Sequence, residues 1–137
     1  MKKLVLSLFA AFMLLNVTAQ NQERKIIIDV TSTDFKVYQS VLLTIKIMSQ
    51  SNPNTQFDVI AYGEAVPMMM KNRSAVAEDI IKYSKHENIS FTACGISMSL
   101  FNIKKEQLLE GVGIVENAVD EIIKLQDVGW GYIKSGN

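Results

Sequence analysis

Short apolar runs alternate along the chain with longer stretches in which apolar residues recur at helical spacing. Lys25-Ile26-Ile27-Ile28-Asp29-Val30 is rich in β-branched residues and bounded by Thr31-Ser32-Thr33, which predicts a strand buried on both faces. From Phe35 to Ser49 the apolar positions Tyr38, Val41, Leu42, Ile45 and Met48 follow a helical period, so a helix is expected to begin near Thr33 or Asp34. Asn52-Pro53-Asn54 should stop it. A second strand follows over Gln56 to Ala61, and Tyr62-Gly63-Glu64 turns out of it. Pro67 suits the first turn of a short helix carrying Met68, Met69 and Met70. Ser74 to Lys85 reads as an amphipathic helix, with Val76, Ala77, Ile80, Ile81 and Ser84 on one stripe and Glu78, Asp79 and Lys82 largely on the other face.

The pattern continues with a strand over Ile89 to Cys94, a short helix opened by Gly95, a helical turn between Lys104 and Leu109, and a strand at Val112 to Val115. Asn117 should cap a final helix whose first turn carries Asp120 and Glu121, where the helix dipole favours them. Gly129 ends it, and Gly131 to Lys134 adds a short last strand. Strands alternating with helices across short connections define a three-layer α/β domain, a mostly parallel sheet of about five strands flanked by helices.

The first residues depart from this alternation. Lys2 and Lys3 precede an apolar run from Leu4 to Leu15 that only Ser7 breaks, and Val17-Thr18-Ala19 supplies a small-residue exit. That order is the order of an export signal. A membrane-spanning helix needs roughly 20 apolar residues, and this run stops well short of that at Asn16. The expectation is a signal peptide over 1–19, an α/β domain over 20–137, and a periplasmic or secreted location with no membrane attachment after cleavage. At 48% hydrophobic and 20% charged residues the composition is that of a globular chain, which excludes disorder and fibrous repeats. The formal charge is zero, and loss of Lys2 and Lys3 would leave the remainder slightly acidic, without the basic footprint that nucleic-acid binding requires.

Chemistry centres on one residue. Cys94 is the only cysteine, so an internal disulfide is impossible and apolar burial must hold the fold. A lone cysteine is often simply a small buried hydrophobe. Cys94, however, ends a predicted strand, and ligands of open parallel sheets collect beyond the carboxyl ends of strands. A helix starting at Gly95 would direct unpaired N–H groups at the sulfur and favour its thiolate. Tyr62, Gly63, Glu64 and Asn117 come from neighbouring strand ends and could border the same crevice, Glu64 opposing ionisation if close. His86, the only histidine, falls at the far end of the strand from Cys94, so neither a Cys-His pair nor a zinc site is expected. Three consecutive methionines point in different directions around a helix and cannot converge on one metal ion, which makes packing their expected role. No Cys-x-x-Cys supports a thiol oxidoreductase, and no Gly-x-Gly-x-x-Gly turn follows the first strand.

Four pieces, Ile60-Ala61-Tyr62-Gly63, Phe91-Thr92-Ala93-Cys94-Gly95, Leu108-Leu109-Glu110-Gly111-Val112 and Gly129-Trp130-Gly131-Tyr132-Ile133, stand in an order and spacing that resembles the DsrE/DsrF-like family. The similarity runs from about Phe35 to Lys134. It implies a compact α/β domain assembled as a homo-oligomer, a trimer or hexamer, that exchanges sulfur with a donor or acceptor protein. It also implies that Cys94 carries sulfur as a persulfide; Tyr62, Gly63, Gly95 and Asn117 are the residues expected to border it, and no metal or other cofactor is expected. Many relatives place an asparagine after the Cys-Gly pair and a histidine before the glycine that matches Gly63. Here Ile96-Ser97 and Tyr62 stand instead, and the alternative reading is a binding or assembly subunit that keeps the fold without sulfur transfer.

Overall fold

A computed structural model describes residues 23–136, and the signal-peptide reading of 1–19 lies outside the described residues. The elements are β1 (Lys25–Val30), α1 (Phe35–Ser51), β2 (Gln56–Ala61), a 3-10 segment (Gly63–Met69), α2 (Ala77–Tyr83), β3 (Ile89–Cys94), α3 (Gly95–Leu100), a 3-10 turn (Lys105–Gln107), β4 (Val112–Val115), α4 (Ala118–Asp127) and β5 (Gly131–Ser135). The strands form one sheet in the order β4-β3-β2-β1-β5. Every pairing in it is parallel.

A parallel sheet must be covered on both faces, and the alternation of side chains along each strand divides the core in two. One face sends Ile28 and Val30 of β1, Phe57, Val59 and Ala61 of β2, and Phe91 and Ala93 of β3 against Tyr38, Val41 and Ile45 of α1 and Ile80 of α2. The methionine triplet belongs to this larger core: Met68, Met69 and Met70 are all buried. The other face is smaller, with Ile27, Ile60 and Cys94 packed beneath Ala118 and Ile122 of α4. Each large side chain fully withdrawn from water contributes about 1.5–3 kcal/mol, so the α1 side carries most of the hydrophobic stabilisation. Among the described residues, no helix is long and apolar enough to cross a membrane.

Helix ends follow local hydrogen bonding. The Asp34 carboxylate accepts the Lys36 N–H at 2.8 Å and starts α1, which runs two residues beyond the expected Ser49 before the Asn52 N–H closes onto the Met48 carbonyl. α2 is shorter than the periodicity of Ser74 to Lys85 suggests. At its start the Ser74 hydroxyl accepts the Val76 N–H and holds a turn, and at its end Lys85 and His86 bond three residues back in tight turns. The expected methionine helix is instead a 3-10 segment that begins at Gly63, so Pro67 lies inside it and not in its first turn. Met70 leaves the segment to form an antiparallel bridge with Leu108, which ties this connection to the approach into β4.

That approach passes over Ser84 at Gly111, where φ is +85° and a β-carbon would come within 2.4 Å of the Ser84 hydroxyl oxygen. Both the backbone angle and the space require glycine. Gly111→Ala is therefore expected to lower stability by about 1–3 kcal/mol, read as a fall in the urea midpoint at constant slope. An unchanged midpoint would contradict this close approach.

Candidate functional site

β3 runs directly into α3: Cys94 is the last strand residue and Gly95 the first helical one. The junction is tight: a β-carbon on Gly95 would lie 3.2 Å from the Val115 carbonyl oxygen and 3.4 Å from that of Glu116, so a side chain there would push the end of β4 back by a few tenths of an ångström. β4 thus presses against the start of α3, an approach reinforced by the Ile96 N–H donating to the Glu116 carbonyl at 3.1 Å.

Cys94 is only 4% exposed and packs with Ile27, Ile60, Ala118 and Ile122. Burial on its own pushes the thiol pKa up. It is outweighed by the groups around the sulfur, first the hydroxyl and N–H of Ser97, then the N–H of Ala118 and, least, that of Ile96, which the Glu116 carbonyl already engages, and the net pKa is lowered. Among the described residues, the acceptor facing the protonated thiol is the Glu116 carbonyl at 4.0 Å, too distant to hold the proton strongly. Ser97 is itself oriented: its hydroxyl oxygen accepts the Gly63 N–H at 2.8 Å, which leaves the hydroxyl proton free for the sulfur. A surface depression of about 550 Å³ is lined by Gly95, Ile96, Ser99, Leu100 and Glu116, and Cys94 is not part of its lining.

The residues expected around Cys94 enter the arrangement in different ways. Tyr62 packs against the apolar cluster that holds Cys94. Gly63 acts through its N–H on Ser97, and Gly95 through its lack of a side chain. The Asn117 side chain does not turn to the sulfur. It accepts the N–H groups of Val119 at 3.0 Å and Asp120 at 3.4 Å, capping α4 and leaving the intervening Ala118 N–H for Cys94. Glu64 lines a cavity with Tyr38, a residue of the α1-side core, and is not among the groups that act on the thiol. His86 precedes β3, at the opposite end from Cys94.

Three contributors were not anticipated from the residues. Ser97 stands three positions after Cys94, the spacing at which the third residue of a helix meets its N-cap, and that spacing was the available signal. Asp29 lies on the same sheet face as Cys94, 2% exposed. One of its oxygens accepts the Tyr62 hydroxyl at 3.2 Å and also the Tyr132 hydroxyl, while the other is buried without a partner. The bond to Asp29, aided by burial, pushes the Tyr132 pKa up to about 12. Tyr62 is raised by burial first and then by the Asp29 carboxylate. No group of three or more His, Cys, Asp or Glu among the described residues is arranged to hold a metal ion.

A fully parallel five-stranded α/β domain with one donor-ringed thiol at a strand end is the class that fold and site define. The chain belongs to the DsrE/DsrF/DrsH-like family, whose profile matches residues 3–127. No curated protein matches it. Among solved structures it is similar to the protein of unknown function MTH1491 from Methanobacterium thermoautotrophicum, with a TM-score of 0.77 and 21% identity over 81% of this chain and 98% of the other. It is also similar to the ychN protein from E. coli, with a TM-score of 0.69 and 13% identity over 81% and 98% of the two chains. The conserved protein of unknown function BT1422 from Bacteroides thetaiotaomicron gives 0.63 and 14% over 85% and 99%. At these identities the likeness establishes the fold.

The pH dependence of Cys94 derives from its surroundings. A depressed folded-state pKa contributes stability above the ordinary thiol pKa, and this is lost as pH falls through the lowered value. Alkylation by iodoacetamide should have its midpoint below that of an unperturbed cysteine, and Ser97→Ala should raise that midpoint and slow alkylation several-fold at neutral pH. Identical profiles for the two proteins would exclude Ser97 as a donor to the sulfur.

For Tyr132 the sign is reversed. A raised phenol pKa contributes stability at neutral pH that disappears as pH climbs towards about 12. Phenolate absorbance should show Tyr132 ionising last, and Asp29→Asn should bring it back towards the ordinary phenol value. A titration unaffected by Asp29→Asn would rule out the carboxylate as the cause.

Proposed function

We propose that this chain is an exported sulfur carrier that holds sulfane sulfur as a persulfide on Cys94. The observation that carries the reading is the place of Cys94 at the junction of β3 and α3, with Ser97 oriented beside it by the Gly63 N–H and the thiol pKa lowered despite burial, which favours the nucleophilic thiolate. The thiolate attacks the outer sulfur of a donor persulfide, R–S–SH. A new S–S bond forms on Cys94, the donor's S–S bond breaks, and the departing R–S⁻ takes the proton as R–SH. Electrons and atoms balance without an external oxidant. Attack of an acceptor thiolate on the outer sulfur of Cys94 reverses the sequence and passes the sulfur on.

Ser97 is suited to stabilise negative charge at the inner sulfur, and Tyr62 to wall the site on the β2 side. The partners are a sulfur donor or acceptor protein and other copies of this chain in a trimer or hexamer. Exposed Ile96 and Leu100 on α3 and Ile114 on the edge strand β4, with Val119 and Ile123 on α4, support such assembly. The order of Lys2 and Lys3, the apolar run Leu4 to Leu15 and the Val17-Thr18-Ala19 exit supports a periplasmic location. The burial of Cys94 among Ile27, Ile60, Ala118 and Ile122 favours the second reading, a binding or assembly subunit without sulfur transfer.

One experiment separates them. After exposure to a low-molecular-weight persulfide, intact-mass spectrometry should show one added sulfur atom, mapped to Cys94 and removed by dithiothreitol. Ser97→Ala should load more slowly, and Cys94→Ser not at all. An unmodified thiol under conditions that load a free cysteine peptide would leave the non-catalytic reading.

A further inference from the structure

On the α1 side of the sheet, away from the thiol, a cavity of about 520 Å³ opens where the chain leaves β1 and β2. That volume is within the roughly 300–1,000 Å³ typical of small-molecule sites, and carboxyl ends of parallel strands are where such sites form. Much of its wall is apolar: Phe35 and Tyr38 from α1, with Phe101 and Ile103 from the segment after α3. Phe35 is 43% and Phe101 49% exposed, so two aromatic rings meet water at this opening.

Two opposite charges line the same cavity, Glu64 and Arg73. They do not neutralise each other. Among the described residues the only ion pair within 4.0 Å joins Lys124 to Asp120, and neither the Glu64 carboxylate nor the Arg73 guanidinium has a side-chain hydrogen bond to a described residue. A simple anion entering here would gain from Arg73 and be repelled by Glu64, and a simple cation would meet the reverse. A ligand with both charges gains from each. The guanidinium fork suits a carboxylate, Glu64 accepts from an ammonium, and the aromatic wall takes an apolar body.

We infer that this cavity is a binding site for a small zwitterion with an apolar body, the chemistry of an apolar α-amino acid. The site is independent of Cys94 and of the sulfur-carrier reading. Tyr38 belongs to the core beneath α1, whereas the thiol belongs to the cluster beneath α4.

The test is calorimetric titration of protein purified from expression of the full chain with three probes: L-phenylalanine, L-phenylalaninamide without the carboxylate, and 3-phenylpropionate without the ammonium. L-Phenylalanine should bind saturably, and each truncated probe on the order of tenfold more weakly. Arg73→Gln should weaken L-phenylalanine several-fold without weakening the amide, whose ammonium Arg73 repels, and Glu64→Gln should weaken L-phenylalanine without weakening 3-phenylpropionate, whose carboxylate Glu64 repels. Both positions are exposed, and circular dichroism checks that the variants remain folded. Absence of saturable L-phenylalanine binding at millimolar concentration, equal binding of the three probes, or indifference to both substitutions would overturn the proposal. Because none of these readings involves the thiol, failure here leaves the persulfide reading standing, and failure of that reading leaves this site intact.

Discussion

β3 is held in register on both sides, by β2 from Phe57 against Ile89 to Ala61 against Ala93, and by β4 from Phe91 against Val112 to Cys94 against Val115. With two neighbours fixing its position, the strand cannot slip without turning its buried side chains to the wrong face. Cys94 is the last residue so fixed. The groups acting on its sulfur come from the chain beyond that point: the immediate turn into α3, the contact of Gly95 with the end of β4, and the start of α4 after Glu116.

The two faces of the sheet divide the work. The α1 face is packed with large aliphatic, aromatic and methionine side chains and accounts for most of the burial. The α4 face carries Asp29, Asp58 and Thr92 along with Cys94 and has a thin apolar cluster. Thr92 donates to Asp58 at 2.7 Å, opposing the upward pull of burial on that carboxyl group, and Asp29 is held by two tyrosine hydroxyls. Polar groups so placed contribute little to folding and cost energy when left unpaired, so the opposite face supplies most of the stability.

The strands and α1 were legible in the sequence because their signals are strong and local: β-branched runs such as Ile26-Ile27-Ile28, and the regular recurrence from Tyr38 to Met48. α2 and the methionine segment were less so. A serine hydroxyl at Ser74 and the turn at Gly63 redirect the backbone over one or two residues, and amphipathic periodicity does not register such events. Cys94 could be singled out from its place at a strand end. Asp29 and Tyr132 could not be connected to it, because their contact spans 103 residues of chain and exists only once β5 has crossed back to lie beside β1.

Asn117 illustrates how a residue can belong to a site without touching its reactive atom. Its side chain takes the second and third N–H groups of α4, Val119 and Asp120, and so leaves that of Ala118 as the donor nearest the start of the helix. Desolvating a thiolate costs several kcal/mol, and a hydrogen bond to a charged group returns about 1.5–3 kcal/mol, so a single donor would not offset burial and lower the thiol pKa. Ser97 on α3, through its hydroxyl and its N–H, begins the compensation. The contribution of Ala118 from a separate helix extends it, which makes the acidity of Cys94 a property of how α3 and α4 meet at the end of β4.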